Sequence, residues 1–159
     1  MAKILTLAPE KCTGCRTCEL ACSFHHDREF RPTASRVTVL TWEAVGLSMP
    51  MMCLQCDSAA CMKVCPTGAV HRSDAGAMVV TEARCIGCKM CITACPFGNT
   101  TYDDIKQKVL KCDLCNGDPA CAKFCPSAAI TYKEATTASH KKKRTYAEKF
   151  RAVLEEVSE

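Results

Sequence analysis

Residues 85–96 read CIGCKMCITACP. Here Cys85, Cys88, Cys91 and Cys95 are separated by two, two and three residues, and Pro96 follows the last. The same spacing stands near the N-terminus in CTGCRTCELAC, residues 12–22, with Cys12, Cys15, Cys18 and Cys22. Two further groups have wider central gaps. CLQCDSAACMKVCP, residues 53–66, puts four residues between Cys56 and Cys61, and CDLCNGDPACAKFCP, residues 112–126, puts five between Cys115 and Cys121. In both, three residues then lead to a last cysteine, Cys65 or Cys125, followed by Pro66 or Pro126. All sixteen cysteines, including Cys53 and Cys112 that open the second and fourth, belong to these four groups.

Two-residue gaps let one tight loop present three sulfurs to three corners of a cubane cluster, while the fourth sulfur, set apart and followed by proline, reaches a second cluster. A structural zinc site needs only four thiolates, usually from two separated pairs, and leaves this three-plus-one run unexplained. Sixteen thiolates in four such groups therefore predict four [4Fe-4S] clusters. The groups also alternate. The first aligns with the third, sharing Gly14 and Gly87, then a basic residue, Arg16 or Lys89. The second aligns with the fourth, sharing Lys63 and Lys123 two residues after the third cysteine. A duplicated two-cluster unit is the simplest architecture with that pattern. The glycines allow the backbone to close on a cluster, or simply make a tight turn. The four basic residues put one positive charge in each group, where it favours a reduced cluster, meets an acidic partner or is merely solvated.

Aromatic residues make up only 6% of the 159 residues, with Trp42 the single tryptophan, so an ordinary apolar core is thin. If clusters fill it, folding and metal binding are one equilibrium. The formal charge of +4 counts the cysteines as neutral. Four thiolates around a core of about +2 leave roughly −2 per cluster, which moves the total to about −4. The basic residues then compensate buried anions, and no nucleic-acid partner is implied. No secretory h-region or Arg-Arg signal is visible, and no run approaches the roughly 20 apolar residues of a membrane span. A cytoplasmic protein without direct membrane insertion is expected. Neither a G-x-G-x-x-G loop nor a nucleophile and base pair is present, and clusters with four protein ligands leave no iron open to substrate. The chain is thus expected to be no enzyme itself.

Residues 36–42, RVTVLTW, read as a strand or hairpin, and Ser73 to Gly76 as a turn between two short strands. His25 and His26 read as part of a surface loop. After Glu134 comes a linker with the basic cluster HKKKR, residues 140–144. Thr145 and Glu148 then make a capping box, and Tyr146, Phe150, Val153, Leu154 and Val157 recur at helical spacing. The expected fold is α+β and loop-rich: duplicated bacterial-type two-[4Fe-4S] ferredoxin modules with a C-terminal amphipathic helix.

From Pro9 to about Ile130, most specifically in PMMCLQCDSAACMKVCPTGAV and RCIGCKMCITACPFG, the chain resembles the four-cluster ferredoxin-type subunits of molybdenum and tungsten oxidoreductases. Dimethyl-sulfoxide reductase, formate dehydrogenase and the tungsten aldehyde oxidoreductase complexes have such subunits, and the shortness of this chain favours the last. The resemblance implies four ligand sets: Cys12, Cys15, Cys18 with Cys125; Cys22 with Cys112, Cys115, Cys121; Cys53, Cys56, Cys61 with Cys95; and Cys65 with Cys85, Cys88, Cys91. It divides the chain into an inner module, 50–103, and an outer one from 1–34 and 104–134. Residues 35–49 connect them, and 135–159 form the basic linker and helix. The nineteen residues between Cys65 and Cys85 separately suit a small hairpin-linked inner module.

The implied function is electron transfer, with single electrons relayed between a catalytic pterin subunit carrying molybdenum or tungsten and a flavoprotein or ferredoxin acceptor. A free-standing polyferredoxin is the alternative of the same class, and a zinc-binding, nucleic-acid-associated protein that of another. A relay exposed at both ends also allows head-to-tail self-association, with the C-terminal helix either the joint or packed on its own body.

Overall fold

The computed structural model describes residues 3–134, so the linker and helix expected for 135–159 lie outside the described residues. Four two-stranded antiparallel ribbons carry the described residues. Strand β1 (Lys3–Leu7) precedes the first cysteine group and pairs with β8 (Ile130–Glu134), which follows the last, with Leu7 opposite Ile130. The hydroxyls of Thr6 and Thr131 meet across this ribbon at 2.7 Å, the kind of cross-strand pair that fixes register. The first and fourth groups are thereby brought side by side.

Strand β2 (Val37–Trp42) and β3 (Leu47–Met52) form the hairpin expected around residues 36–42, and β3 runs directly into Cys53. Val37 and Val39 face inward while Thr38 and Leu40 face out, the period-two alternation of a half-buried strand. Pro50, opposite Val39, has no N–H to offer, which a ribbon edge tolerates. The Val39 N–H instead donates to Glu19 Oε1 at 2.6 Å, so a buried carboxylate joins this hairpin to the first helix.

That helix, α1 (Thr17–Asp27), has eleven residues, whereas α2 (Ala60–Lys63), α3 (Met90–Thr93) and α4 (Ala120–Lys123) are single turns. The difference follows from the residue after each group's last cysteine. Pro66, Pro96 and Pro126 disfavour helical backbone at the cysteine before them. Ser23 stands at that place in the first group, and the helix continues through His25 and His26. The surface loop expected for the two histidines is thus replaced by the last turn of α1.

Strands β4 (Val70–Arg72) and β5 (Met78–Val80) flank the expected turn at Ser73 to Gly76. Strands β6 (Thr100–Asp103) and β7 (Lys108–Lys111) make the last hairpin, which joins residues on both sides of position 103. Three buried clusters result. Cys18, Cys22 and Cys121 pack with Val37, Val39, Met52 and Ile130. Cys61 and Cys91 pack with Ala59, Val70, Met78 and Val109. Cys53 and Cys112 meet in a third with Ala77 and Leu114, at the seam between the other two.

Ionic ties hold the peripheral loops to this frame. Asp27, at the end of α1, accepts from Arg36 at 2.9 Å, Lys108 at 3.0 Å and Lys106 at 3.1 Å. Burial opposes its charge, but hydrogen bonds from Lys108, Arg36 and Lys106 outweigh that and hold its carboxyl far below the usual range. Arg31 grips Asp103 through both terminal guanidinium nitrogens, Nη1 at 3.0 Å and Nη2 at 2.6 Å.

Candidate metal centres

Two clefts are lined by cysteine sulfurs. Cys12, Cys15, Cys18 and Cys125 line one, together with Val39, Pro50 and Ile130. Cys65, Cys85, Cys88 and Cys91 line the other, with Val70, Val80 and Val109. Cys15 and Cys88 are the exposed cysteines of the chain, one at each cleft. Two more groups of sulfurs lie deeper. The Cys121 thiol is pushed far up by burial, reinforced by the charges of Cys112, Cys22, Cys115 and Cys18. Burial likewise pushes Cys112 up to about 12, with Cys53 and Cys22 adding to it, and Cys115 up to about 11, with Asp113 and Cys22 adding to it. The Lys111 Nζ donates to Cys53 Sγ at 2.9 Å, and the charges of Cys61 and Cys95 also act on this ammonium. Cys56 packs against the core that holds Cys61.

The backbone that carries these sulfurs is shaped for close approach. Gly14 and Gly87 both sit at φ +69°, left-handed backbone that a side chain resists. At Gly14 an added Cβ would also stand 2.8 Å from Ser48 Oγ on β3, so the first loop is pressed against the β2–β3 hairpin. Donors converge on the sulfurs. Thr17 Oγ1 donates to Cys15 Sγ at 3.4 Å and the Arg36 backbone N–H to Cys22 Sγ at 3.3 Å. The hydroxyls of Thr67 and Ser127 lie 3.7 and 3.8 Å from Cys65 and Cys125. The loop cations Arg16, Lys63, Lys89 and Lys123 are exposed. Lys63 donates to Ser58 and Lys123 to Asp118, while Lys89 lies over the Tyr102 ring at 3.9 Å.

These surroundings suit an iron-sulfur cluster. No carboxylate or imidazole lines either cleft, and a pure sulfur donor set selects soft metal centres. Several thiolates held together away from water repel one another, and a cationic iron core among them removes that repulsion. The polar donors aimed at sulfur are those a metal-bound thiolate uses.

Three residues have places beside the sulfurs that the sequence pattern does not reveal. His26 donates from both ring nitrogens, Nδ1 to the Cys22 carbonyl at 2.9 Å and Nε2 to Asp113 Oδ1 at 3.0 Å. Burial opposes its charge, but the Asp113 carboxylate and the Cys22 sulfur outweigh burial and keep the ring protonated. Its nitrogens, though near His25 and Cys115, are therefore already engaged. Gln55 bridges the seam: its Nε2 donates to the Cys112 carbonyl at 2.8 Å and its Oε1 accepts from the Met78 N–H at 2.7 Å. The third is Lys111. Burial disfavours its charge, yet the Cys53 sulfur beside it and those of Cys61 and Cys95 outweigh that and hold its pKa above the ordinary lysine value.

The model of the 4Fe-4S dicluster domain matches residues 44–135, more than half of the chain, and that of a 4Fe-4S binding domain matches residues 9–25. The chain belongs to the 4Fe-4S dicluster family. Its cofactors are [4Fe-4S] clusters, and its mixed, loop-rich fold is of the ferredoxin type. It is 40% identical over 85 residues to the polyferredoxin-like subunit of aliphatic sulfonate oxidoreductase from Pyrococcus furiosus, covering 53% of this chain and 49% of that one. With the electron transport protein HydN of Escherichia coli K12 it shares 37% over 94 residues, 56% of this chain and 53% of that one. With a polypeptide of the anaerobic dimethyl sulfoxide reductase of Haemophilus influenzae it shares 40% over 93 residues, 50% and 45%. The chain spans about half the length of the curated relatives it matches. Among solved structures, the active site complex BamBC of benzoyl coenzyme A reductase as isolated has a chain with the same fold, at a TM-score of 0.50 and 22% identity over 99% of this chain and 97% of that one. Among the described residues no helix is long and apolar enough to cross a membrane.

Proposed function

We propose that this chain is a non-catalytic electron-transfer subunit of an oxidoreductase complex, in which sixteen cysteines hold four clusters in a line. The ligand sets run in order: Cys12, Cys15, Cys18 and Cys125; Cys22, Cys112, Cys115 and Cys121; Cys53, Cys56, Cys61 and Cys95; Cys65, Cys85, Cys88 and Cys91. Each set takes three sulfurs from one group and one from a distant group, so two duplicated modules result, an inner one within 50–103 and an outer one from 1–34 and 104–134. A bound [4Fe-4S] cluster supplies reversible one-electron exchange. The protein fixes where that exchange is exposed. The observation that carries this reading is the placing of the exposed cysteines Cys15 and Cys88 at two separate clefts, with buried Cys53 and Cys112 sharing a third buried cluster. A relay needs that arrangement: accessible ends for a donor and an acceptor, and a dry middle.

The partners that suit the ends are a catalytic subunit carrying a molybdenum or tungsten pterin on one side and a flavoprotein or ferredoxin on the other. A reducing cytoplasm, which keeps sixteen thiols free for iron, is the matching location. Head-to-tail contact between copies would use the same two ends. Anaerobic purification of the native complex tests the reading. About 16 iron per chain, four one-electron couples by EPR-monitored titration and a co-purifying catalytic subunit are expected. Colourless, zinc-containing protein would overturn it.

A further inference from the structure

Lys111 closes β7, is 7% exposed, and its Nζ stands 2.9 Å from Cys53 Sγ. Other cations withdrawn from solvent meet carboxylates: Arg31 meets Asp103, and Arg36 and Lys108 meet Asp27. Among the described residues Lys111 has no such carboxylate, and its counter-charge is sulfur. A buried ammonium without an opposite charge is strongly unfavourable, so this position is tenable only against thiolate.

Donors at the other sulfurs are weaker in charge. Cys15, Cys65 and Cys125 have hydroxyls, and Cys22 has a backbone N–H. The His26 ring is 3.9 Å from Cys22 Sγ, and Asp113 at 3.0 Å offsets its charge. The exposed loop cations are screened by water and salt. Among the described residues, one positive charge not offset by a carboxylate therefore faces the sulfurs from inside the protein, and it faces the set opened by Cys53. Charge and hydrogen bonds at the ligand sulfurs are levers on reduction potential, and a fixed cation favours the state with one more electron.

We infer that Lys111 is a positioning residue that makes the centre held by Cys53, Cys56, Cys61 and Cys95 the most readily reduced of the four, so that electrons collect at the buried middle of the relay. The inference rests on the relay reading above. It assigns the loop cations no such part, although they lie closer in sequence to the cysteines of the end clefts.

Full-length protein, reconstituted anaerobically, is compared with Lys111→Met, Lys111→Gln and Lys111→Arg by iron content and by EPR-monitored redox titration. Lys111→Met should keep the wild-type iron, while the highest of the four potentials falls by a factor of about ten or more in its reduction equilibrium, about 59 mV for one electron. The other three should move less, and Lys111→Arg should restore the wild-type value. Unchanged potentials, an equal shift of all four, or a larger shift in another couple than in the highest would overturn the inference. So would loss of the same centre in both the Met and Gln variants, which would make the residue structural. Wild-type protein without reducible iron would instead overturn the relay itself.

Discussion

Replacing Asp27 by asparagine removes one negative charge and keeps nearly the same volume. The side chain is 2% exposed, and its three cationic partners come from two other parts of the chain: Arg36 at the entry to β2, and Lys106 and Lys108 in the β6–β7 hairpin. Arg36 is itself only 8% exposed and has no other carboxylate among the described residues, so the change leaves a buried guanidinium without that counter-charge. Removing one partner of a buried pair costs about 3–5 kcal/mol. In a protein of this length each kcal/mol lowers the melting temperature by about 2–4 °C, so a drop of about 6–20 °C is expected. The measurement is anaerobic melting of the cluster-loaded protein, followed by far-UV circular dichroism and loss of cluster absorbance together. Glu29→Gln is the control. Glu29 is 53% exposed and reaches Lys106 at 3.5 Å, and exposed pairs of this kind are worth about 1 kcal/mol or less. If Asp27→Asn melts within about 2 °C of wild type, the carboxylate is not the tie between α1 and the hairpins.

Asp103 gives a pH dependence with a definite sign. The Arg31 guanidinium holds its carboxyl down at about 2, below an unfolded value of about 3.9. Its stabilisation is therefore complete above about pH 4 and lost as pH falls toward 2, so the melting difference between wild type and Asp103→Asn should be constant near neutrality and close on acidification. A difference that grows in acid would contradict this. Gly14→Ala should lose both stability and iron beyond what Gly46→Ala loses, because both sit at positive φ but only Gly14 has Ser48 Oγ in the way of a Cβ. Ser48→Ala in the same chain should recover part of the loss, and equal behaviour of the two glycine variants would remove the close approach from the account. Gln55→Leu leaves the Cys112 carbonyl and the Met78 N–H without their partner at the seam. A cost of about 1–3 kcal/mol for each group left buried is expected, read as a lower melting temperature; an unchanged one would show water replacing the amide.

The strands and turns are legible in the sequence because their signals are local. The alternation of Val37 and Val39 with Thr38 and Leu40 predicts β2, and Ser73 to Gly76 predicts the turn before β5. The length of α1 is legible only by comparing the four groups, since Ser23 lacks the helix-stopping action of Pro66, Pro96 and Pro126. Lys111, His26 and Gln55 stay hidden for a common reason. Lysine, histidine and glutamine are ordinarily solvated, and nothing in their neighbours along the chain says otherwise. Their roles arise from contacts 57 residues away for Gln55 with Cys112, 58 for Lys111 with Cys53, and 87 for His26 with Asp113. Pairing of β1 with β8 depends on the same long range, across 125 residues at Thr6 and Thr131.

What remains of the core without iron explains why the sulfurs must do more than transfer electrons. Among the described residues the buried apolar side chains are alanine, valine, methionine, leucine, isoleucine, Pro50 and seven cysteines, with no phenylalanine, tyrosine or tryptophan. The aromatic rings sit outside: Phe24, Phe30, Phe97, Phe124 and Trp42 are between 40% and 69% exposed. A fully buried aromatic would contribute the largest single share of packing area, and here none does. Short two-stranded ribbons are marginal by themselves, and single-turn helices lie far below the length at which a helix holds in water. On the ligand sets proposed above, stability comes from bonds between iron and sulfurs of distant groups, which close the same long loops that β1 and β8 close. Those bonds would close each module separately, and the two are joined by protein: Gln55, two residues past Cys53, donates to the Cys112 carbonyl, and Cys53 and Cys112 share one buried cluster with Ala77 and Leu114.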